Sequence, residues 1–214
     1  MKNFTFLFLA GAVLSFSSCV KDAATGTASI SFQLKAATSA VNGAGITWTA
    51  GTAGVANAKI QAKKNDSASV EYKAEANSQV DLFAALSITN VSIPTGTFRS
   101  VEFHSELKVM TSKPALHLEG TYTAGGVTTP VTFDVNTDIT VKSKKDSIVI
   151  SSATATYTAL TTVTLVTLTQ DVTEADMKLA DRVSGKIVIS ATSSSTVYNK
   201  MLANLGKPQV IDFH

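Results

Sequence analysis

Cys19 is the single cysteine of this 214-residue chain, and His104, His117 and His214 are its three histidines. One thiol makes neither an intrachain disulfide nor a thiolate metal centre, which leaves a buried free thiol or an attachment point. A zinc site would require the histidines to converge beside an acid. Asp134, Asn136 and Asp138 alternate as the first ligands of a calcium loop do. That loop also needs glycine at its sixth position and glutamate at its twelfth, and here these are Ile139 and Lys145. Alternate residues also form one face of a strand, which accounts for the spacing without a cation. No G-x-S-x-G, no phosphate-binding glycine loop and no paired-cysteine motif occurs. Serine and threonine abound, yet a hydroxyl becomes a nucleophile only beside a base. The expectation is no metal, no cofactor and no catalytic residue.

The histidines must be placed by strands. "VEFHSELKV" sets Val101, Phe103, Leu107 and Val109 on one face; "ALHLEGTYTA" does so for Leu116, Leu118 and Tyr122. "PVTFDVNTDITV" repeats the pattern with Val131, Phe133, Val135, Ile139 and Val141. A two-residue turn at Gly125-Gly126 pairs Leu118 with Phe133 and Leu116 with Val135. A loop at 111–114 then sets Val109 opposite Leu116. All apolar faces coincide, which predicts a three-stranded meander over 101–141. In that register His104 faces Thr121 and His117 faces Lys108, as separate solvated side chains.

Cys19 follows Met1-Lys2-Asn3 and the apolar run "FTFLFLAGAVLSF", the charge and length of a secretory signal. The run is shorter than the roughly 20 apolar residues of a membrane span. Ser17-Ser18-Cys19 resembles the bacterial lipobox, with Phe16 where leucine is preferred. The resemblance implies cleavage before Cys19, lipidation of its thiol and a lipid-anchored protein. Residues 1–18 are thus expected to be a lipoprotein signal peptide. Residues 19–27 are expected to be the lipidated cysteine and a flexible tether, since "VKDAATGTA" offers little to bury. Residues 28–214 form the expected single domain. The "CVKD" start looks like Bacteroidetes-type envelope lipoproteins, which implies an outer-membrane location, periplasmic or surface-exposed. "DSA" and "DSI" resemble the O-glycosylation acceptor of such proteins, which makes Ser67 and Ser147 acceptor candidates in predicted turns.

Lys and Arg number 18 against 16 Asp and Glu, a balance that speaks against a nucleic-acid footprint. Thr, Val, Ser and Ala dominate, a palette suited to pleated sheet. "ASISFQLKA" is an opening strand with Ile30, Phe32 and Leu34 inward. "VNGAGITWTAGTAG" reads as a glycine-rich turn anchored by Trp48, the aromatic candidate for ligand contact. "VANAKIQAKKNDSASVEYKAEA" reads as two strands around Lys64-Asn65-Asp66-Ser67, and Pro94 and Gly96 mark a further turn. "KSKKDS" reads as a charged loop before the strand "SIVISSATATY", and "TTVTLVTLTQ" as strand. "TEADMKLADRVSG" carries a helix capped by Thr173 and Asp176 and ended by Gly185. "GKIVIS" is a strand. "SSTVYNKMLANLGKP" is a second helix with Val197, Met201 and Leu205 inward, and "QVIDFH" is a closing strand.

"QVDLFAA" (79–85), "IPTGTFRSVEF" (93–103) and "TFDVNTDITV" together resemble a domain of unknown function widespread in bacterial lipoproteins. Its signature runs V-D-L, then P-x-G-x-[YF] opening a long strand. The resemblance implies a transthyretin-like or immunoglobulin-like fold and brings no catalytic residues. The expected architecture is mainly β, an antiparallel β-sandwich with two short C-terminal helices. The expected role is non-enzymatic: a lipid-anchored cell-envelope module for binding, adhesion or structure. Its expected partners are the membrane, through the lipid, and a glycan or envelope protein. The alternative is a secreted hydrolase or carbohydrate-processing enzyme with a dispersed site, which converging acids or histidines would reveal.

Overall fold

Alternation of buried and exposed residues runs through most of the described residues, which form twelve strands and three short helices. The computed structural model describes residues 26–37, 44–64 and 67–214. Cys19, the signal and most of the tether lie outside the described residues, as do Asn65 and Asp66. The strands are β1 (Thr27–Ala37), β2 (Ile46–Lys64), β3 (Ser69–Asp81), β4 (Ser87–Pro94), β5 (Gly96–Leu107) and β6 (Leu116–Ala124). They continue with β7 (Val127–Val135), β8 (Ile139–Ile150) and β9 (Thr156–Thr164). Helices α1 (Leu165–Leu168) and α2 (Glu174–Lys178) come next, then β10 (Arg182–Val183), β11 (Lys186–Ile189), α3 (Ser195–Leu205) and β12 (Val210–Phe213). No helix among the described residues is long and apolar enough to cross a membrane.

One sheet has the order β12-β9-β1-β4; the other runs β10-β11-β7-β6-β2-β5-β8, with β3 also on β2. Both are mixed rather than antiparallel, because β1 runs parallel to β9 and β7 parallel to β11. Parallel neighbours need long crossovers that strand periodicity alone does not announce.

The 19-residue strand β2 organises the larger sheet. Its Lys64-to-Val55 half pairs with β5, and its Ala53-to-Ile46 half pairs with β6. β5 and β6 therefore lie end to end beside β2 and do not pair with each other as the expected meander required. The β6–β7 half of that expectation holds, with Leu118 opposite Phe133 and Leu116 opposite Val135. Matching parity allowed the error, since β2 has the same period and takes up the edge that each strand would have offered the other. β7 and β8 repeat the arrangement, lying in succession along β6 and β5.

Gly54 sits at the break. Its N–H donates to Ala115 O at 3.0 Å and its carbonyl accepts from Lys108 N at 2.7 Å, so it holds both ends of the 108–115 excursion. A Cβ there would stand 2.5 Å from Lys108 O, which only glycine avoids. The glycines of β2 thus serve close approach and not the turn expected around Trp48. Glycine does make the turn at Gly125-Gly126, where φ is +56° and +78°.

Two further segments depart from expectation. The expected loop "KSKKDS" is the middle of β8, with Lys142 and Lys144 outward and Ser143 fully buried against Thr161 at 3.0 Å. β9 stops at Thr164, and Leu165 and Leu168 turn inward one helical turn apart as α1, a third helix. The Thr173–Asp176 capping box and the inward Val197, Met201 and Leu205 match expectation. α2 ends at Lys178, however, and Gly185 instead turns β10 into β11.

The apolar side chains form two cores. One joins the halves of β2 and β5 nearest Lys64 to β1, β4, β8 and β9, with Phe103 centred 5.9 Å from both Phe32 and Phe213. The other lies where β2, β6, β7 and β11 are covered by α1–α3, with Phe133 and Tyr198 rings 5.8 Å apart. The sheets meet at both margins of the first core. Thr89 Oγ1 donates to Glu75 O at 2.9 Å between β4 and β3. Gln209, beside β12, donates its N–H to Lys142 O of β8 at 2.6 Å.

Candidate functional site

Most residues able to do chemistry lie on the outer face of the larger sheet, because β2, β5 and β8 all point their polar positions away from the cores. In register across β2, β5 and β8, Asn57, Glu106 and Thr140 form one row, Lys59, His104 and Lys142 the next, and Gln61, Glu102 and Lys144 a third. The rows interlock. Lys59 forms ion pairs with Glu106 and, at 3.8 Å, with Glu71, while Gln61 Nε2 donates to Glu71 at 2.9 Å. Glu102 takes Lys144 at 2.7 Å and His104 Nε2 at 3.1 Å.

The charges respond accordingly. Burial would raise the Glu106 carboxyl, but hydrogen bonds from Lys59 and Asn57 outweigh it and hold Glu106 below the usual range. The Lys144 contact, then the His104 contact, depresses Glu102. Glu106 in turn raises Lys59. These are cross-strand pairs of the kind that set register.

At the end of this face, where both strand pairs break, a cleft of about 320 Å³ opens between Asn57, Glu106, Lys108, Asp138 and Thr140. Asn57 Nδ2 donates to Glu106 at 2.5 Å, and Asp138 Oδ1 accepts the Val109 N–H at 3.0 Å. Each acid of the cleft is therefore held by its own structural partner. Asp134, Asn136 and Asp138 do not assemble a calcium loop: Asp138 ties down the 108–115 excursion and Asp134 binds His117. No group of three or more His, Cys, Asp or Glu among the described residues is arranged to hold a metal ion.

The histidines stay apart, as expected, but not where the meander put them. His104 lies opposite Lys59 and Lys142, not Thr121, and is only 7% exposed, so it is not the solvated side chain expected. His117 lies between Thr52 and Asp134, not opposite Lys108. Its Nδ1 meets Asp134 at 2.5 Å and its Nε2 meets Glu119 at 3.1 Å. Both contacts are hydrogen bonds only when both ring nitrogens carry protons, so the geometry is that of an imidazolium. Burial works against this charge, and the two carboxylates overcome it and raise the His117 pKa. His214 stands 3.7 Å from Asp212.

A second cleft of about 250 Å³ lies at the start of α3, beside Asp176, Asp181 and Ser194. Ser194 Oγ accepts the Asp181 N–H at 2.9 Å and donates to Val188 O at 2.8 Å, which makes it a brace and not a nucleophile. Asp181 Oδ2 accepts the Ser194 N–H at 2.5 Å and fills the position an external anion would take. Asp176 is lowered to about 2 by Lys200 first and by the Thr173 cap second. Sequence reasoning missed Asp181 and Lys200, whose partners lie on another element.

Trp48, expected at an accessible turn, is 4% exposed within the helix-covered core, alongside Tyr122. Ser67 is exposed at the β2–β3 turn and donates to Lys64 O at 2.6 Å. Ser147 is also exposed but sits in β8 opposite Arg99, not in a turn. No family model matches the chain, and neither a curated protein nor a solved structure matches it.

Proposed function

We propose that the chain is a lipid-anchored cell-envelope protein with a non-enzymatic binding, adhesion or structural role. Cys19 carries the lipid, and the β-rich body stands off the outer membrane on the short tether that follows. Lipidation contributes about 0.8 kcal/mol per buried CH₂, so several acyl chains on one residue give stable anchoring. We read the two facing sheets as a β-sandwich of transthyretin-like or immunoglobulin-like character, belonging with the lipoprotein domain that the V-D-L and P-x-G-x-[YF] stretches resemble.

One observation carries the non-enzymatic reading. The acids and histidines best placed for acid–base work are consumed by neighbours: Glu106 by Lys59 and Asn57, His117 by Asp134 and Glu119, Asp176 by Lys200 and Thr173. A general acid or base needs a free face toward substrate and a pKa near the working pH. Glu106 and Asp176 are pushed away from that range.

Metabolic labelling with palmitate and membrane fractionation test the anchor. The wild type should take up label and sediment with envelope membranes, and Cys19→Ala should do neither. Equal labelling of both proteins would sink the reading.

A further inference from the structure

The two sheets present different exteriors. The larger is laced with ion pairs, whereas the outer face of the β12-β9-β1-β4 sheet is built of hydroxyls and amides. Ser29, Ser31 and Gln33 of β1 alternate with the buried Ile30, Phe32 and Leu34, and they share rows with Thr156, Thr158 and Leu160 of β9. Asn90 and Ser92 of β4 extend two of these rows. Lys35 and Asp212 are the charged side chains at these outward strand positions, and Asp212 stands 3.7 Å from His214.

At one end this face deepens into a groove of about 480 Å³. Its floor is the row Lys35–Thr162–Val210 across β1, β9 and β12, and its wall is Phe83 with Ala85. The wall stands because Leu82 is clamped to both sheets: its N–H donates to Gly51 O at 2.9 Å and its carbonyl accepts from Ala36 N at 2.7 Å. Phe83 is half-buried, packed behind against the helix-covered core. Lys35 forms no ion pair or side-chain hydrogen bond among the described residues. What sets it apart is its place: among the described residues it is the one lysine in the strands of this sheet.

The geometry points to a saccharide-binding groove for a sugar ring that bears a carboxylate. This assignment rests on the envelope-binding role proposed above and specifies its ligand. A pyranose has an apolar C–H face and a rim of hydroxyls. The Phe83 ring, fixed on a rigid wall, suits the first; Thr162 and the Gln33–Ser31 rows, which both donate and accept, suit the second. The Lys35 ammonium, without an ion pair among the described residues, supplies the counter-charge for a uronate, and Asp212 is the other charged side chain at the outward strand positions. A patch of apolar surface with a few convergent polar groups is the usual make-up of a small-ligand site.

Titration calorimetry of the full chain in detergent, at low salt, with a hexamer of galacturonic acid and with a neutral cello-oligosaccharide tests the assignment. The uronate should bind, more weakly as salt rises, and the neutral oligomer should bind at least tenfold more weakly. Lys35→Gln should weaken uronate binding about tenfold and abolish its salt dependence, and Phe83→Leu, which keeps the packing behind the ring, should also weaken it. No uronate binding, equal binding of the neutral oligomer, or unchanged binding by Lys35→Gln would overturn the groove assignment. Acylation of Cys19 is scored separately, so a protein that is lipidated yet fails to bind uronate refutes the groove and leaves the anchor standing.

Discussion

Asp134 and His117 face each other in register across the β6–β7 hairpin, and their side chains meet at 2.5 Å while Glu119 holds the opposite edge of the imidazole at 3.1 Å. His117 thus binds its proton more tightly in the folded chain than in the unfolded one. The stability this adds is fully present below about pH 6.5, the ordinary histidine value, and is lost as pH rises through the raised folded value. Urea unfolding of the wild type should therefore show a midpoint that falls between pH 6 and 9. His117→Gln should remove most of that slope and cost about 1–2 kcal/mol at pH 6. An unchanged slope in the variant would refute the clamp.

Asp176 behaves in the opposite sense. Its carboxyl is lowered to about 2, so its contribution is present above the ordinary aspartate value of 3.8 and fades as pH falls toward 2. Asp176→Asn should cost about 1 kcal/mol at pH 7, a figure already reduced for the partial exposure of Lys200. Amide exchange in α2 should accelerate while β6 and β7 stay protected.

Gly54→Ala should be far more harmful than its exposed-loop composition suggests. The new methyl would meet Lys108 O at 2.5 Å and Met110 Cγ at 2.9 Å, forcing the 108–115 excursion off the strand. A loss of about 1–3 kcal/mol is expected, read as a lowered melting temperature. Gly125→Ala, with open space around it, should show only the smaller strain of its positive φ.

Phe103 is the aromatic hub between the sheets, 1% exposed and 5.9 Å from the rings of Phe32 and Phe213. Phe103→Ala should cost about 3–5 kcal/mol, and Phe103→Leu markedly less, by equilibrium unfolding. A cost under 1 kcal/mol for the alanine variant would show that the sheets do not depend on this contact.

Local features were legible in the sequence and long-range ones were not. The β6–β7 hairpin could be read because Gly125-Gly126 sets the turn and alternation sets the register. The Thr173–Asp176 cap and the inward stripe of α3 could be read because each lies within a few residues. β5 and β6 were wrongly paired because β2, distant in sequence, carries the same alternation and competes for the same edge. Among the candidate sites, His117 was visible as a residue but not as an imidazolium, since Asp134 and Glu119 reach it only after β6 and β7 pair. Lys35 and Phe83 carry no site signal of their own in the sequence. A lone lysine and a lone phenylalanine mean little until one strand and one turn bring them to the same groove.

The parallel pairing of β1 with β9 places Ser29 beside Thr156, and β12 then adds to the far side of β9. β1 must therefore wait for a partner strand made on the order of a hundred residues later. Such high contact order slows folding toward the millisecond-to-second range. Until β9 arrives, the apolar face of β1 has neither its parallel neighbour nor the completed core, so a polypeptide shortened before β9 should behave as a sticky, protease-sensitive intermediate and not as a smaller version of the protein.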